Sequence, residues 1–380
     1  MQSFVHLANT FLQKAAAGKF PTLVALAAIS AVTGAMANAT IYGNIDQAVT
    51  KSRTTVGGAQ TKSSTGMSSY QMGSSQIGFK GEEDLGSGLK ASFLHEMGVT
   101  TEANDNNMTT RQAYVGLSGG FGAVRIGKQY SNVFGNLISA DPFGATGGSG
   151  SLYVGNVITG NGPSPDNPLR QDNAIQYDLP TLVPGVRIGV TKVFAGANTG
   201  DGSGAKTADS TGYAISYASG PLNVGYTSDS IKAQSIAGIK STAASGSVAT
   251  GALVTTAAVA GVDAAASSTT KLTSFAAGYD LGMAKLTYHD AKIMNNGKGV
   301  KTNMTGIAVP MGAATLMYTS GTGKADTLGG ETKLKGTQYG ANYALSKRTV
   351  AYLHANNSTA TKGTVSTKTN GYGLGIHHSF

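Results

Sequence analysis

The chain has 380 residues with a formal charge of +9; only 12% are charged, 54 are glycine and none is cysteine. The lack of cysteine excludes disulfide scaffolds, thiol catalysis and cysteine-based zinc sites. Abundant Gly, Ser, Thr, Ala, Asn and Tyr with few Leu and Glu argue against long amphipathic helices and against a cytosolic enzyme, and favour an all-β chain of short strands joined by polar turns.

At the N-terminus, Lys14 and Lys19 precede an apolar stretch from Leu23 to Val32 that ends in small residues between Gly34 and Ala39. This pattern predicts a Sec signal peptide over 1–39 and an exported domain over 40–380. A second small-residue site ends at Ala37, but cleavage after Ala39 lets Thr40 open a strand. Beyond it no apolar run is long enough for a spanning helix, so entry into a bilayer requires strands.

From Thr40 onward the hydropathy alternates with period two. Tyr213, Ile215 and Tyr217 are apolar at odd positions; after the turn at 219–221 the even positions Leu222, Val224 and Tyr226 continue the same face. The pattern predicts strands near 40–51, 74–84, 89–98, 110–118, 121–130, 170–179, 186–194, 212–219, 222–228, 271–280, 283–291, 302–310, 313–320, 336–345, 349–357 and 369–380. Tight turns at 118–122, 219–221, 280–283 and 345–349 take turns with long connections at 52–73, 131–169, 229–270 and 321–335. Short turns at one end, long loops at the other and an even strand count predict a transmembrane antiparallel β-barrel of sixteen strands. Residues 150–157 look locally strand-like, but a seventeenth strand breaks the parity, so they fall to a loop, as does the Ala-, Ser-, Thr- and Val-rich stretch 235–268. A soluble β-sandwich would fill its second face with large aliphatics; here that face carries Gly, Ser, Thr, Asn and isolated charges, which suit a water-filled lumen. Without Trp, an interfacial girdle must use the 16 Tyr and 11 Phe.

Several runs resemble the trimeric general-diffusion porins of Gram-negative bacteria: 40–46 (TIYGNID), 75–86 (SQIGFKGEEDLG), 111–119 (RQAYVGLSG), Phe121 to Tyr130, 172–178 (DNAIQYD), 343–349 (YALSKRT) and 375–380 (GIHHSF). The resemblance implies a homotrimer whose long third loop, 131–169, folds into the lumen and narrows it. It implies passive diffusion of small hydrophilic solutes and ions through an outer membrane, contact with outer-membrane lipid and lipopolysaccharide, and assembly by the barrel-assembly machinery, for which Phe380 is the terminal recognition signal. It also implies a basic barrel wall facing acids on the inward loop: Lys80 and Arg111 match wall positions, Arg170 and Lys128 are further candidates, and Gln76 and Gln176 stand where basic residues are common. Parity places Lys80 with Gln76, Gly78 and Glu82, opposite Ile77 and Phe79, and a charge in mid-strand faces water because facing lipid costs about 2–4 kcal/mol. Arg125 fits neither face and is assigned to a subunit contact. On the loop, Asp141 is the candidate constriction carboxylate, or a turn residue before Pro142.

A pore lined by Lys80, Arg111, Lys128 and Arg170 with one loop carboxylate predicts a modest preference for anions. Asp46, Glu82 and Glu96 are the lumenal acids that would limit it. No cofactor, metal site or nucleic-acid partner is expected: His95, His289, His354, His377 and His378 lack ligand spacing, and Gly200 to Thr207 (GDGSGAKT) lacks the strand-loop-helix context of a phosphate loop. The competing readings are a substrate-selective channel, a surface-interaction barrel working as an adhesin through 229–270, and an outer-membrane barrel enzyme, for which no residues are nominated.

Overall fold

The computed structural model describes residues 39–69, 71–101, 108–144, 170–194, 208–233, 268–295, 298–327 and 330–380. The expected leader, the strand-like run 150–157, the phosphate-loop look-alike and nearly all of 235–268 lie outside them.

The first strands are β1 (Thr40–Val56), β2 (Ala59–Ser68), β3 (Gln76–Gly86), β4 (Leu89–Gly98), β5 (Thr109–Gly119) and β6 (Gly122–Tyr130). A nine-residue helix, α1 (Asn132–Ala140), follows. Then come β7 (Arg170–Asp178), β8 (Val186–Val193), β9 (Ala208–Ser219), β10 (Leu222–Ala233), β11 (Ser268–Asp280) and β12 (Lys285–Asn295). The last are β13 (Lys298–Met311), β14 (Ala314–Thr327), β15 (Gly330–Ala344), β16 (Thr349–Lys362) and β17 (Val365–Ser379).

Apart from β2 and β3, which do not pair with each other, each strand pairs antiparallel with its chain neighbours, and β17 returns to pair with β1 from Asn44↔Ser379 to Val56↔Thr367. Closure leaves no free edge, which is how a sheet satisfies its backbone inside a membrane. Both β2 and β3 pair with β1, at its upper and lower parts, so they are two pieces of one barrel strand and the closed barrel has sixteen.

All sixteen predicted strands are present, but most run further toward the loop end than alternation indicates. The connection 52–73 is mostly a hairpin, with β1 continuing to Val56, a turn at Gly57 and Gly58, both at positive φ, and β2 returning. Likewise 321–335 is the paired ends of β14 and β15. Beyond the bilayer both faces of a hairpin meet water, so nothing selects apolar residues at every second place while the hydrogen-bond ladder continues.

The barrel is inverted relative to a soluble protein. Ile41, Val115 and Leu374 point outward and are 61%, 61% and 62% exposed. Tyr213, Tyr217, Tyr226, Tyr279, Tyr339, Tyr343 and Tyr372 join them on the outer face. Thr227, Ser274, Thr287, Gln338 and Asn356 are buried on the inner one. A continuous apolar belt on a closed barrel matches lipid, its tyrosines suiting the headgroup levels. Phe380 completes the closure: its N–H donates to Gly43 O at 3.0 Å and the Gly43 N–H donates to Phe380 O at 3.3 Å. A Cβ on Gly43 would lie 2.6 Å from the Phe380 ring, so glycine there makes room for it.

Candidate functional site

The chain leaves the wall at Tyr130 and α1 lies inside the barrel against β9 to β12. Ser131 caps the helix, its Oγ accepting from the Phe134 N–H at 3.1 Å. Val133, Phe134, Leu137 and Ala140 form one apolar face and are all buried. They meet inner-wall residues that are apolar here, including Leu272, Ile293, Val300 and Met304. Burying each large side chain contributes about 1.5–3 kcal/mol, so the helix is held as part of the wall.

Three inward-facing glycines receive this loop. A Cβ on Gly225 would stand 2.2 Å from Asn136 Oδ1, one on Gly306 would stand 2.7 Å from Pro142 Cδ, and one on Gly340 would stand 3.1 Å from the Phe143 ring. Asn136 Nδ2 donates to Gly225 O at 3.3 Å and to Ser274 Oγ at 2.8 Å, so the close approach is bonded as well as sterically permitted. Gly225→Val is expected to push the helix into the lumen and lower single-channel conductance, at a stability cost of about 1–3 kcal/mol for the overpacking. Unchanged conductance from the folded variant would show that the helix does not bound the open path.

Just after the helix, Asp141 is buried, and its Oδ1 accepts from the Phe143 N–H at 2.9 Å. It is therefore a turn-forming carboxylate as well as an acid on the inward loop. The Phe143 ring meets His354 edge-on, with centroids 5.2 Å apart.

Across the lumen, the inner faces of β1 and β3 to β7 carry a continuous chain of contacts. Lys80 Nζ lies 5.0 Å from the Tyr42 ring centre. The Tyr42 hydroxyl donates to Glu96 Oε2 at 2.9 Å, and Gln76 Nε2 donates to the same oxygen at 3.1 Å. Arg111 Nε pairs with Glu96 Oε1 at 2.9 Å, and its Nη2 donates to the Tyr130 hydroxyl at 2.8 Å. Arg170 lies over the Tyr130 ring, 5.3 Å from its centre. Three cations, two tyrosines and one carboxylate thus share one wall, leaving two net positive charges.

Strand register decides which basic residues belong to it. Counting back by twos from Val115, which faces outward, places Arg111 outside; the register between β4 and β5 shifts at Glu96/Met97, skips Arg111 and turns its side chain in. Against β5 no such shift separates Lys128 from Ile126, although against β7 the register shifts between Gly127 and Gln129, on either side of Lys128. Lys128 pairs with Ala113 just as outward Ile126 pairs with Val115, so it lies on the outer face. There it bridges Asp172 at 3.3 Å, beside Ile126 and Ile175. Lys80, Arg111 and Arg170 are brought together, whereas Lys128 is not among them.

Arg125 is lumenal rather than at a subunit contact. It pairs with Asp178 at 2.8 Å and donates to Gln176 at 3.2 Å, and Arg187 reaches the same Asp178 oxygen at 3.3 Å. The three acids set against an anion preference are all engaged. Glu82 pairs with Lys90 at 2.6 Å, Glu96 with Arg111, and Asp46 is fully buried under backbone donors. Asp46 lies on the inner face as expected, but alternation does not signal its partners, most of which lie in a segment that leaves the sheet.

A closed barrel with an apolar belt, a polar lumen and an inward loop set against a charged wall defines a transmembrane β-barrel of channel architecture. The model of the Gram-negative porin family matches residues 22–363, and the chain belongs to that family. It is 42% identical over 109 residues to the major outer membrane protein P.IB of Neisseria meningitidis serogroup B, a match over 28% of this chain and 33% of the relative. It is 34% identical over 222 residues to outer membrane porin protein 32 of Delftia acidovorans, over 53% and 57%. The matches thus span about a third to somewhat over half of these relatives' lengths. Among solved structures, an anion-selective porin from Comamonas acidovorans superimposes with a TM-score of 0.70 at 23% identity, over 91% of this chain and all of that one. Salmonella typhi OmpF, solved with daunomycin, gives 0.64 at 16% over 91% and 100%, and both show the shared fold.

Proposed function

We propose that this barrel is a passive diffusion channel for small hydrophilic solutes in a Gram-negative outer membrane, with a modest preference for anions. The observation that carries the reading is the wall from Lys80 to Arg170: three cations and one carboxylate on the lumenal face opposite an apolar-packed inward helix. A pore's fixed charge biases the sign of the permeant ion, and two net charges beside water bias it without excluding cations. The acids that would oppose this are paired or buried, and the sign agrees with that of the similar anion-selective porin from Comamonas acidovorans.

Lys80, Arg111 and Arg170 are the wall residues of this reading and Asp141 the loop acid; Lys128, on the outer face, plays no part in it. The protein works as a homotrimer, in keeping with a solved relative described as a trimer form. Residues 1–39 are its export signal and Phe380 its assembly signal; the chain acts as a channel rather than an enzyme. Purified protein in a planar bilayer should give conductance steps in groups of three and a reversal potential of anionic sign across a salt gradient. Silence from folded protein would overturn the channel reading, and a cationic sign would overturn the basic wall while leaving the channel.

A further inference from the structure

The second barrel strand is interrupted. β2 leaves β1 after Ser68, and β3 rejoins it at Gln76, opposite Asn44. Between them the chain passes over the inner face, since the residues it touches all point inward. Asp46 Oδ2 accepts from three successive backbone N–H groups, those of Gln71 at 2.7 Å, Met72 at 2.8 Å and Gly73 at 3.2 Å. Asp46 Oδ1 accepts from the Tyr352 hydroxyl at 2.5 Å. Where the ladder is missing, Ser75 stands in for it: the Asp46 N–H donates to Ser75 Oγ at 2.9 Å, and Ser75 Oγ donates to Asp46 O at 3.1 Å. His354 Nδ1 lies 3.2 Å from Gln71 O while its ring packs against Phe143, so this segment and the turn after the helix meet at one histidine.

An uninterrupted strand would satisfy the same backbone groups by pairing with β1. The detour gives up those pairs, and its N–H groups then need acceptors inside the barrel. One carboxylate meets three of them with charge-assisted bonds, roughly twice as strong as neutral ones. The outcome of the detour is occupied lumen, not added wall. Resting on the channel reading above, we propose that Asp46 is a positioning residue that holds residues 71–75 in the lumen as a second constricting segment, and that this segment, together with the helix loop, sets the size limit of the pore. Residues 71–75 carry no charge, so the segment limits size rather than sign.

The chain has no cysteine, so Met72→Cys offers a single thiol. Labelling it with a neutral benzyl thiosulfonate is expected to lower single-channel conductance by roughly half, because a bulky group is added at a constriction. Asp46→Ala, confirmed as folded by its heat-modifiable migration, is expected to raise conductance about 1.5-fold and to admit larger neutral sugars, since the path widens as the segment is released. In the Asp46→Ala/Met72→Cys double variant, labelling should no longer lower conductance. Wild-type conductance from folded Asp46→Ala, or from Met72→Cys shown by mass to be labelled, overturns the proposal. The Met72→Cys arm decides alone if Asp46→Ala does not fold. A folded wild type that does not conduct overturns the channel reading itself.

Discussion

Lys80→Ala combined with Arg170→Ala is expected to bring the reversal potential across a salt gradient close to zero. These two cations lie over tyrosine rings, whereas the charge of Arg111 is balanced by Glu96 at 2.9 Å. Removing both takes the wall from two net positive charges to none. A unit charge about 7 Å from a permeant ion in water contributes about 0.6 kcal/mol. Screening at ~0.15 M salt, where the Debye length is ~8 Å, reduces this by about half. Attraction of anions and repulsion of cations act together, so each wall charge changes the anion-to-cation permeability ratio about two- to threefold, and the pair about sixfold. The effect should grow as salt is diluted. Arg111→Gln with Glu96→Gln is the control: it removes one charge of each sign and should leave the ratio near the wild-type value. Retained anion selectivity in the Lys80/Arg170 variant would move its source to Arg125 and Arg187 beside Asp178.

Arg111→Ala is expected to give the largest loss of stability of any single substitution on this wall. Arg111 and Glu96 have side chains 14% and 5% exposed, so removing the guanidinium leaves a carboxylate buried without its cation. Breaking a buried pair from one side costs about 3–5 kcal/mol. The lower figure applies, because Glu96 keeps the hydroxyls of Tyr42 and Tyr130 and the amide of Gln76 as donors. The barrel still closes, since its ladder does not depend on this pair, but its heat-modifiable band should collapse at a distinctly lower temperature. Adding Glu96→Gln should recover most of the loss by removing the stranded charge. The two readouts separate charge from stability: Arg111→Ala also lowers the wall by one net charge and weakens the anion preference, whereas the double variant restores both. If Arg111→Ala melts with the wild type, the pair is solvated in the membrane-embedded protein and its energetic role is small.

Alternating hydropathy was sufficient to establish the barrel, its sixteen strands, its tight turns and the inward direction of Lys80, because in a closed sheet between lipid and water each side chain's environment follows from its position in the strand. Tertiary structure decided what depends on partners distant in sequence. The bulge that turns Arg111 inward exists only in the register of β5 against β4, and nothing in the run from 109 to 119 marks it. The run around Lys128 looks equally basic, yet an unbroken register with β5 leaves it outside. The hairpin ends above the membrane carry no such signal, because water on both faces imposes no alternation. The inward turn after Ser68 is held by hydrogen bonds between Asp46 and residues 25 to 29 positions away, and between Asp46 and Tyr352, 306 positions away. A pattern of period two reports which side of a sheet a residue faces. Where the sheet bulges or the chain leaves it, only the closed barrel determines what that side contains.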